Sequence, residues 1–480
     1  MSWVADFDAG GWAAVSPALD AHLAARGIPA GAVRAAGARA LLASALRAAG
    51  RPAAALPLLE QALGHTPGDP ELWAALAQTF QQVGQHAAAT LGYAQAEALA
   101  PADARFSAAL GEAHLRADAP EAALAPLERA VRLDPGLASA WKNLGVALRA
   151  LGRAAEALAA DETAVACAPG DAEARWNRGM SRLTLGQWAS GWADYEARRE
   201  LADVARPPLP PLPAWGGGPV GRLVVHAEQG LGDALQFARY LVAARAQAQH
   251  LTLLGPAALA PLLGRHPGVD RYVSDATAAD GDALAPLLSL PHLLSCPDPR
   301  DAPPCGIAAL PARLDRWRPA VRALGRRVIG VAWQGNPAYA ADRRRSPPLA
   351  ALTPLLADPR YTWLSLQKVH GLDQLAALPP ALRPVDWRDR LDVDGAAFED
   401  TAAVLGCLDA LVCSDTAVAH LAGALGVRTA LLLCASPDWR WGLTGDRSPF
   451  YATLRLCRQR VAGDWTHAVA AAAALLEEDE

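Results

Sequence analysis

The chain has 480 residues, 52% of them hydrophobic and 19% charged, with a formal net charge of −5. That composition excludes a disordered chain, and at roughly 150 residues per domain the length calls for more than one folded unit. Residues 36–205 carry 15 basic against 19 acidic side chains and residues 206–480 carry 27 of each, so neither half has the basic excess of a nucleic-acid binder.

Hydropathy and cysteine usage narrow the class further. The longest apolar candidate for a membrane span, Leu421 to Cys434, falls short of the roughly 18 residues required and contains Arg428. The first residues lack a basic region followed by an apolar stretch, so the expectation is a soluble, cytoplasmic protein without a secretory signal. Seven cysteines, at 167, 296, 305, 407, 413, 434 and 457, form no C-x-x-C pair and have mostly apolar neighbours, which predicts reduced core thiols.

In chain order, residues 1–35 are expected to form a helical cap, and residues 36–205 a solenoid. Prolines recur every 34 residues, at Pro67, Pro101, Pro135 and Pro169. Between them Trp73, Leu76, Ala77, Phe80, Gly84, Ala89, Tyr93 and Ala96 fill the signature positions of a tetratricopeptide repeat. Leu110, Gly111, Ala123 and Leu127 keep the register, as do Trp141, Leu144, Gly145, Gly152 and Ala157. An earlier copy (Leu42, Leu46, Gly50, Ala55, Leu59) and a looser later one (Gly179, Gly186, Gly191, Tyr195) make about five units. Small residues let the two helices of each hairpin approach, and stacked hairpins give a concave groove suited to a protein partner or to self-association. Trp188, Trp192 and Tyr195 are expected to join the last copy to the C-terminal part of the chain.

Residues 206–219 form a Pro/Gly linker where neither a helix nor a central strand can continue. Beyond it, apolar runs at Leu223–His226, Leu251–Leu254, Val328–Trp333, Thr362–Leu366, Ala410–Cys413 and Thr429–Cys434 alternate with helical stretches. That alternation predicts parallel sheets with crossover helices. A Pro-rich stretch near Pro297–Pro311 divides them into two Rossmann-like halves, residues 220–312 and 326–480, with residues 313–325 as a connecting helix and a ligand cleft between the halves.

Three constellations fall after predicted strands. In the glycine loop Glu228-Gln-Gly-Leu-Gly-Asp233, backbone amides around Gly230 and Gly232 could face an anion, while Asp233 either caps the next helix or points into the cleft. Asp415, Thr416 and His420 open another helix, with Thr416 and His420 on one face; either they cradle a phosphate, or Asp415 caps and His420 is a hydrogen-bonded core residue. Gln334, Asn336, Arg343 and Arg345 lie after Val328–Trp333, and Gln367 and Lys368 after Thr362–Leu366, at the same sheet edge. Asp392-Val-Asp394 reads as a loop, and the histidines show no metal-ligand spacing, so no metal or resident cofactor is expected.

These pieces, with Asp342-Arg343…Arg345-Ser346, Ser436-Pro-Asp-Trp-Arg-Trp441 and Asp446-Arg-Ser-Pro-Phe450, resemble bacterial tetratricopeptide proteins that carry a glycosyltransferase-B (GT-B) domain. The domain is similar to the heptosyltransferase group and, more distantly, to O-GlcNAc transferases. The resemblance implies an α-solenoid followed by an α/β GT-B fold, with Asp233 as general base. It implies that Arg345 contacts the donor diphosphate and that Asp415, Thr416 and His420 bind the donor's phosphates and sugar. Displacing a nucleotide from a sugar needs a base for the acceptor hydroxyl and positive groups for the departing phosphate, and arginine, lysine and helix dipoles supply the latter in this fold. The expected activity is inverting, metal-independent transfer from a nucleotide sugar to Ser or Thr of a protein such as a flagellin or another surface protein. A non-catalytic scaffold, or a transferase acting on a lipid or oligosaccharide, is the alternative.

Overall fold

The computed structural model describes residues 2–201, 208–325, 327–339, 341–393 and 397–478. The chain divides into two compact units, Met1–Arg178 and Gly179–Glu480.

The first unit is a run of antiparallel helix pairs. α1 (Ser2–Ala25) breaks at Gly10 and Gly11, whose backbones are non-helical. It is followed by α2 (Ala32–Ala48) with α3 (Pro52–His65), α4 (Pro70–Gln82) with α5 (His86–Leu99), α6 (Ala104–Arg116) with α7 (Pro120–Leu133), and α8 (Ala138–Ala150) with α9 (Ala154–Cys167). α10 (Ala172–Thr184) and α11 (Trp188–Tyr195) form the fifth pair. Asp69 caps α4 by accepting from the Glu71 and Leu72 amides, Asp103 caps α6, and Pro70 and Pro120 sit in first turns, where no amide is missed. The period has a visible cause, since the indoles of Trp73 and Trp141 donate to the carbonyls of Pro67 and Pro135 at 2.8 and 2.9 Å. Val15, Leu19 and Leu23 of α1 are buried in one cluster with Leu42, Leu46 and Leu59, so the N-terminal helix covers the apolar face of the first repeat.

The second unit holds two wholly parallel sheets. β1 (Val220–His226), β2 (Ala248–Leu254), β3 (Arg271–Val273) and β4 (Ala283–Pro286) form the first, in the order β3-β2-β1-β4. The second contains β5 (Val328–Ala332), β6 (Thr362–Ser365), β7 (Val385–Asp386), β8 (Ala410–Ser414), β9 (Thr429–Leu433) and β10 (Leu454–Arg458), ordered β10-β9-β8-β5-β6-β7. Renumbered within its own half, that order is the doubly wound one, and in each sheet the order of strand addition reverses beside its first strand while all strands stay parallel. Strands β5, β8 and β9 are central, wholly buried and almost entirely apolar because both faces are covered, whereas β1 is buried only from Leu223 onward and leaves Arg222 exposed. The helix Thr466–Glu477 returns to the second sheet, burying Val469, Ala472 and Leu476 with Ile329, Val331 and Leu432.

Several boundaries differ from the sequence reading. The connecting helix runs Pro311–Arg322, starting two residues early because Pro311 suits its first turn. Residues 206 and 207 of the expected linker lie outside the described residues, as do Arg326 and Glu480 at the limits of the second half. The rest of that linker is docked. Leu284 donates to the Pro213 carbonyl and accepts from the Trp215 amide, both at 2.8 Å, which adds Ala214 to the edge of the first sheet. The unit boundary falls at Gly179, inside the fifth repeat, because α11 buries Trp192 and Tyr195 among α/β residues. All seven cysteines are free, but Cys167 is exposed and only Cys305, Cys413 and Cys457 are buried, so the core-thiol expectation holds for some and not for Cys167.

The repeat packing makes a stability prediction. A Cβ on Gly111 would lie 2.4 Å from Leu127 Cγ, whereas one on Gly64 in α3 meets nothing within 4 Å. Gly64→Ala should therefore stabilise by about 0.5–1 kcal/mol through helix propensity, while Gly111→Ala should destabilise by about 1–3 kcal/mol despite the same propensity gain. Urea unfolding of the two variants reads the difference.

Candidate functional site

The site forms where the C-terminal ends of β1, β8 and β9 in the two sheets deliver their loops. After β1 the chain turns through Glu228, Gln229 and Gly230. Gln229 has φ of 63°, a left-handed conformation unusual for a side chain of its size, and its amide donates to the Tyr195 hydroxyl at 3.2 Å. α12 (Leu231–Phe237) then begins with Gly230 as N-cap, and Asp233 Oδ2 accepts from the Gly230 amide at 2.9 Å. Asp233 thus makes the N3 half of a capping box alone, since Gly230 has no side chain to return the bond, and it faces the second half with its other oxygen. Oδ1 is ion-paired with Nη2 of Arg440, from the loop after β9.

Arg440 is the functional residue that sequence reasoning left without a role. Its Nε donates to Gln236 at 2.6 Å, its Nη1 to Asp438 at 2.8 Å, and its guanidinium lies 4.4 Å from the Trp439 ring centroid. Burial opposes its charge, but Asp438 and Asp233 outweigh burial and hold its pKa above the ordinary arginine value. The Asp438-Trp-Arg-Trp441 string carried the signal, an arginine flanked by indoles and preceded by a capping carboxylate.

The helix Ala417–Ala424 approaches α12 closely. A Cβ on Gly232 would sit 3.1 Å from His420 Cδ2 and 3.4 Å from Ala417 Cα, so glycine keeps the two helix starts together. Thr416 is the N-cap of that helix but makes no capping bond, and its hydroxyl is buried without a protein partner. Asp415 is buried; burial first, then Asp438, pushes its pKa up to about 6 against the pull of Arg345. His420 Nδ1 lies 3.1 Å from the Tyr451 hydroxyl and its ring stacks on Trp441 at 5.3 Å. Burial, Arg440 and Arg345 depress its pKa to about 3, so it is neutral and offers a phosphate no charge. Any contact of His420 with a ligand would therefore be a hydrogen bond from a neutral ring, not an ion pair.

Arg345 lies on the short helix Asp342–Arg345, where buried Asp342 accepts from its Nε at 3.1 Å and Tyr339 lies under its guanidinium at 4.8 Å. Its charge is felt at both Asp415 and His420. Asp233, Gly230, Gly232, Asp415, Thr416, His420 and Arg345 are thus brought to one place.

Of the remaining candidates, Gln334, Gln367 and Lys368 hold loops together, and Asn336 and Arg343 are exposed. Gln367 Oε1 accepts from the Trp333 and Gln334 amides at 3.0 and 3.1 Å, and its Nε2 donates to the Gln334 carbonyl at 2.8 Å, which locks the loops after β5 and β6 together. The Gln334 side chain accepts from Gln374 at 2.8 Å. Lys368 donates to the carbonyls of Leu391 and Asp392. Asn336 is exposed and closes its own turn by accepting from the Ala338 amide at 3.0 Å, and Arg343 is exposed. Asp392 caps the helix Glu399–Leu405 through the Asp400 amide at 2.6 Å, while Asp394 lies outside the described residues. Glu228 is paired with buried Arg198 at 2.5 Å. His226 is buried beside the loop, with its pKa lowered to about 4 by burial and by Arg198 and Arg199. Among the described residues no group of three or more His, Cys, Asp or Glu is placed to hold a metal ion, and no helix is long and apolar enough to cross a membrane.

Comparison with known proteins places the repeats first. Residues 36–79 match the family model for the tetratricopeptide repeat. With the helix pairs described above, this makes the chain a tetratricopeptide-repeat protein with a C-terminal α/β region of parallel sheets. Protein FlbA of Caulobacter vibrioides is 27% identical over 301 residues, covering 57% of this chain and 50% of that protein, so the chain spans about half the length of the curated relative it matches. Of solved structures, TTC0263, a thermophilic TPR protein of Thermus thermophilus, is 28% identical with a TM-score of 0.31, covering 35% of this chain and 92% of its own. YrrB, a TPR protein with an unusual peptide-binding site, is 19% identical with a TM-score of 0.30, covering 34% of this chain and 84% of its own.

The electrostatics of Asp415 make a pH prediction. Its folded pKa of about 6 exceeds the ordinary 3.8, so the folded state takes up a proton between those values and bears a buried charge above them. Asp415→Asn should stabilise by on the order of 2 kcal/mol above pH 6, and the gain should fade as pH falls toward 4. Melting temperatures of parent and variant across that range check the sign.

Proposed function

We propose that the chain is an inverting, metal-independent glycosyltransferase of the GT-B kind, acting in the cytoplasm on Ser or Thr hydroxyls of a protein recruited by the repeats. The observation that carries this reading is the juxtaposition of Asp233, after β1, with Arg440 and the Thr416 helix start, after β9 and β8. One sheet edge presents a proton acceptor and the facing edge presents positive groups. In the reaction the acceptor oxygen bonds to the anomeric carbon while the carbon–oxygen bond to the nucleoside diphosphate breaks. Asp233 takes the hydroxyl proton, and Arg345, Arg440 and the amides at the start of Ala417–Ala424 meet the charge that develops on the leaving phosphate. Burial raises the pKa of Asp233 above the usual carboxylate range, which suits a base.

A second reading, a scaffold without catalysis, draws on the engagement of both Asp233 oxygens, by Gly230 and by Arg440. Asp233→Asn separates the two. Asn still accepts from the Gly230 amide but gives up the charge facing Arg440, so a scaffold would lose some stability and keep its partner binding, whereas loss of a general base should lower the turnover of sugar transfer at saturating donor, in protein that remains folded, by about 10²- to 10⁴-fold. Arg345→Ala should weaken nucleotide binding without abolishing it, as calorimetric titration would show.

Recruitment is tested by truncation. A cut near Pro210 would strip Trp192 from Phe237 and Trp439 and Arg198 from Glu228, so the informative fragment begins at Asp171, before α10. That fragment should bind nucleotide and lose transfer to a protein acceptor; undiminished protein glycosylation would refute acceptor recognition by the repeats.

A further inference from the structure

Arg440 is fixed by two of its nitrogens and free to exchange at the third. Nε is held by Gln236, Nη1 by Asp438, and the guanidinium plane by Trp439, so the group stays in place whatever Nη2 contacts. Nη2 pairs with Asp233, whose side chain is 20% exposed against 9% for Arg440, making the carboxylate the partner that a ligand can reach. Gly232, beside Asp233, is in close approach to Ala417, and there the Thr416 hydroxyl is buried without a protein partner at the start of an eight-residue helix. A phosphate on that helix start would lie beside the Asp233–Arg440 pair.

We infer that Arg440 is a ligand of the donor's diphosphate and that Asp233 occupies its Nη2 until the donor arrives. This rests on the transferase reading. The diphosphate offers Nη2 and the helix start a stronger anion than a single carboxylate, because it can accept from several charged donors at once. Displacing Asp233 from Arg440 also releases the base, since it frees the Oδ1 oxygen that Nη2 occupies and removes the one guanidinium that pulls against the rise that burial gives its pKa. Donor therefore binds before acceptor, and the base is disarmed while the donor site is empty. Asp438 stays on Nη1 throughout and keeps the arginine aimed.

The exchange makes an unusual demand: removing the charge of Asp233 should strengthen binding of the diphosphate while it abolishes transfer. Full-length parent and Asp233→Asn protein are titrated calorimetrically with UDP, GDP, ADP, CDP and inorganic pyrophosphate. Whichever of these binds the parent should bind the variant about tenfold tighter, the scale of a single coupling between two ligands of one group. Equal or weaker binding by the variant overturns the exchange and leaves the donor site standing. Absence of binding to either protein overturns the functional reading, and the exchange with it. If the Asn variant does not fold, Asp233→Gln carries the same test, because Gln is a natural third residue of a capping box.

Discussion

The ion pair between Asp233 and Arg440 is the constraint on which the α/β region depends, because it joins residues 207 apart in sequence and belonging to different sheets. Two charges withdrawn from water are favourable only when their remaining hydrogen-bonding capacity is met. Here it is met on both sides: Gly230 donates to the carboxylate, while Gln236 and Asp438 accept from the guanidinium. The close approach allowed by Gly232 keeps the two helix starts near enough for the pair to form. A larger residue there would separate the halves at the point where charge has to be shared.

The fifth repeat belongs physically to this pair. Trp192 stands edge-on to both Phe237 of α12 and Trp439 of the β9 loop, and its indole donates to the Pro297 carbonyl at 2.8 Å. Arg198, which follows α11, is buried and bonds Glu228 and Ser289 at 2.5 and 2.8 Å. One helix thus braces the loop that carries Asp233 and the ring that supports Arg440. A terminal repeat must have its open apolar face covered. In this chain the surface that covers α11 is the site's own support, which is why the compact unit starts at Gly179.

The sequence displayed the repeats because each one must satisfy the same contacts, as Trp73 and Trp141 do with the prolines before them. It displayed β1, β2, β5, β6, β8 and β9 because strands covered on both faces are continuous apolar runs. The four strands it concealed, β3, β4, β7 and β10, all lie at sheet edges. Edge strands are short or polar because no full strand covers their outer side: β7 has two residues, β4 ends in Pro286 and meets only Ala214 beyond it, and β10 carries Arg455 and Arg458 and meets only Arg447. The site was legible as positions at strand ends and illegible as roles. An amide such as Gln367 at a sheet edge can face a ligand or the next loop, and only the backbone of Trp333 and Gln334 decides that it faces the loop. Arg440 was left without a role for the opposite reason, since its partner Asp233 is remote in sequence and its own string, Asp438-Trp-Arg-Trp441, entered only as one piece of the resemblance.

The charge inventory of the site then bears on what it selects. Asp233, Asp415 and Asp438 face Arg345 and Arg440, with His420 held neutral by burial and by those same arginines. An arginine left unpaired in such surroundings would be costly, so the carboxylates stand in for an anion when none is present. On the proposed exchange, a ligand of Arg440 Nη2 has to displace a carboxylate that is already well placed. A singly charged anion gains little by replacing an equal charge, whereas a diphosphate brings more charge and several acceptor oxygens to donors that are already oriented. Selectivity under the proposed exchange would come from competition: binding of every anion is weakened, and only one with high charge and the right spread of oxygens repays the displacement.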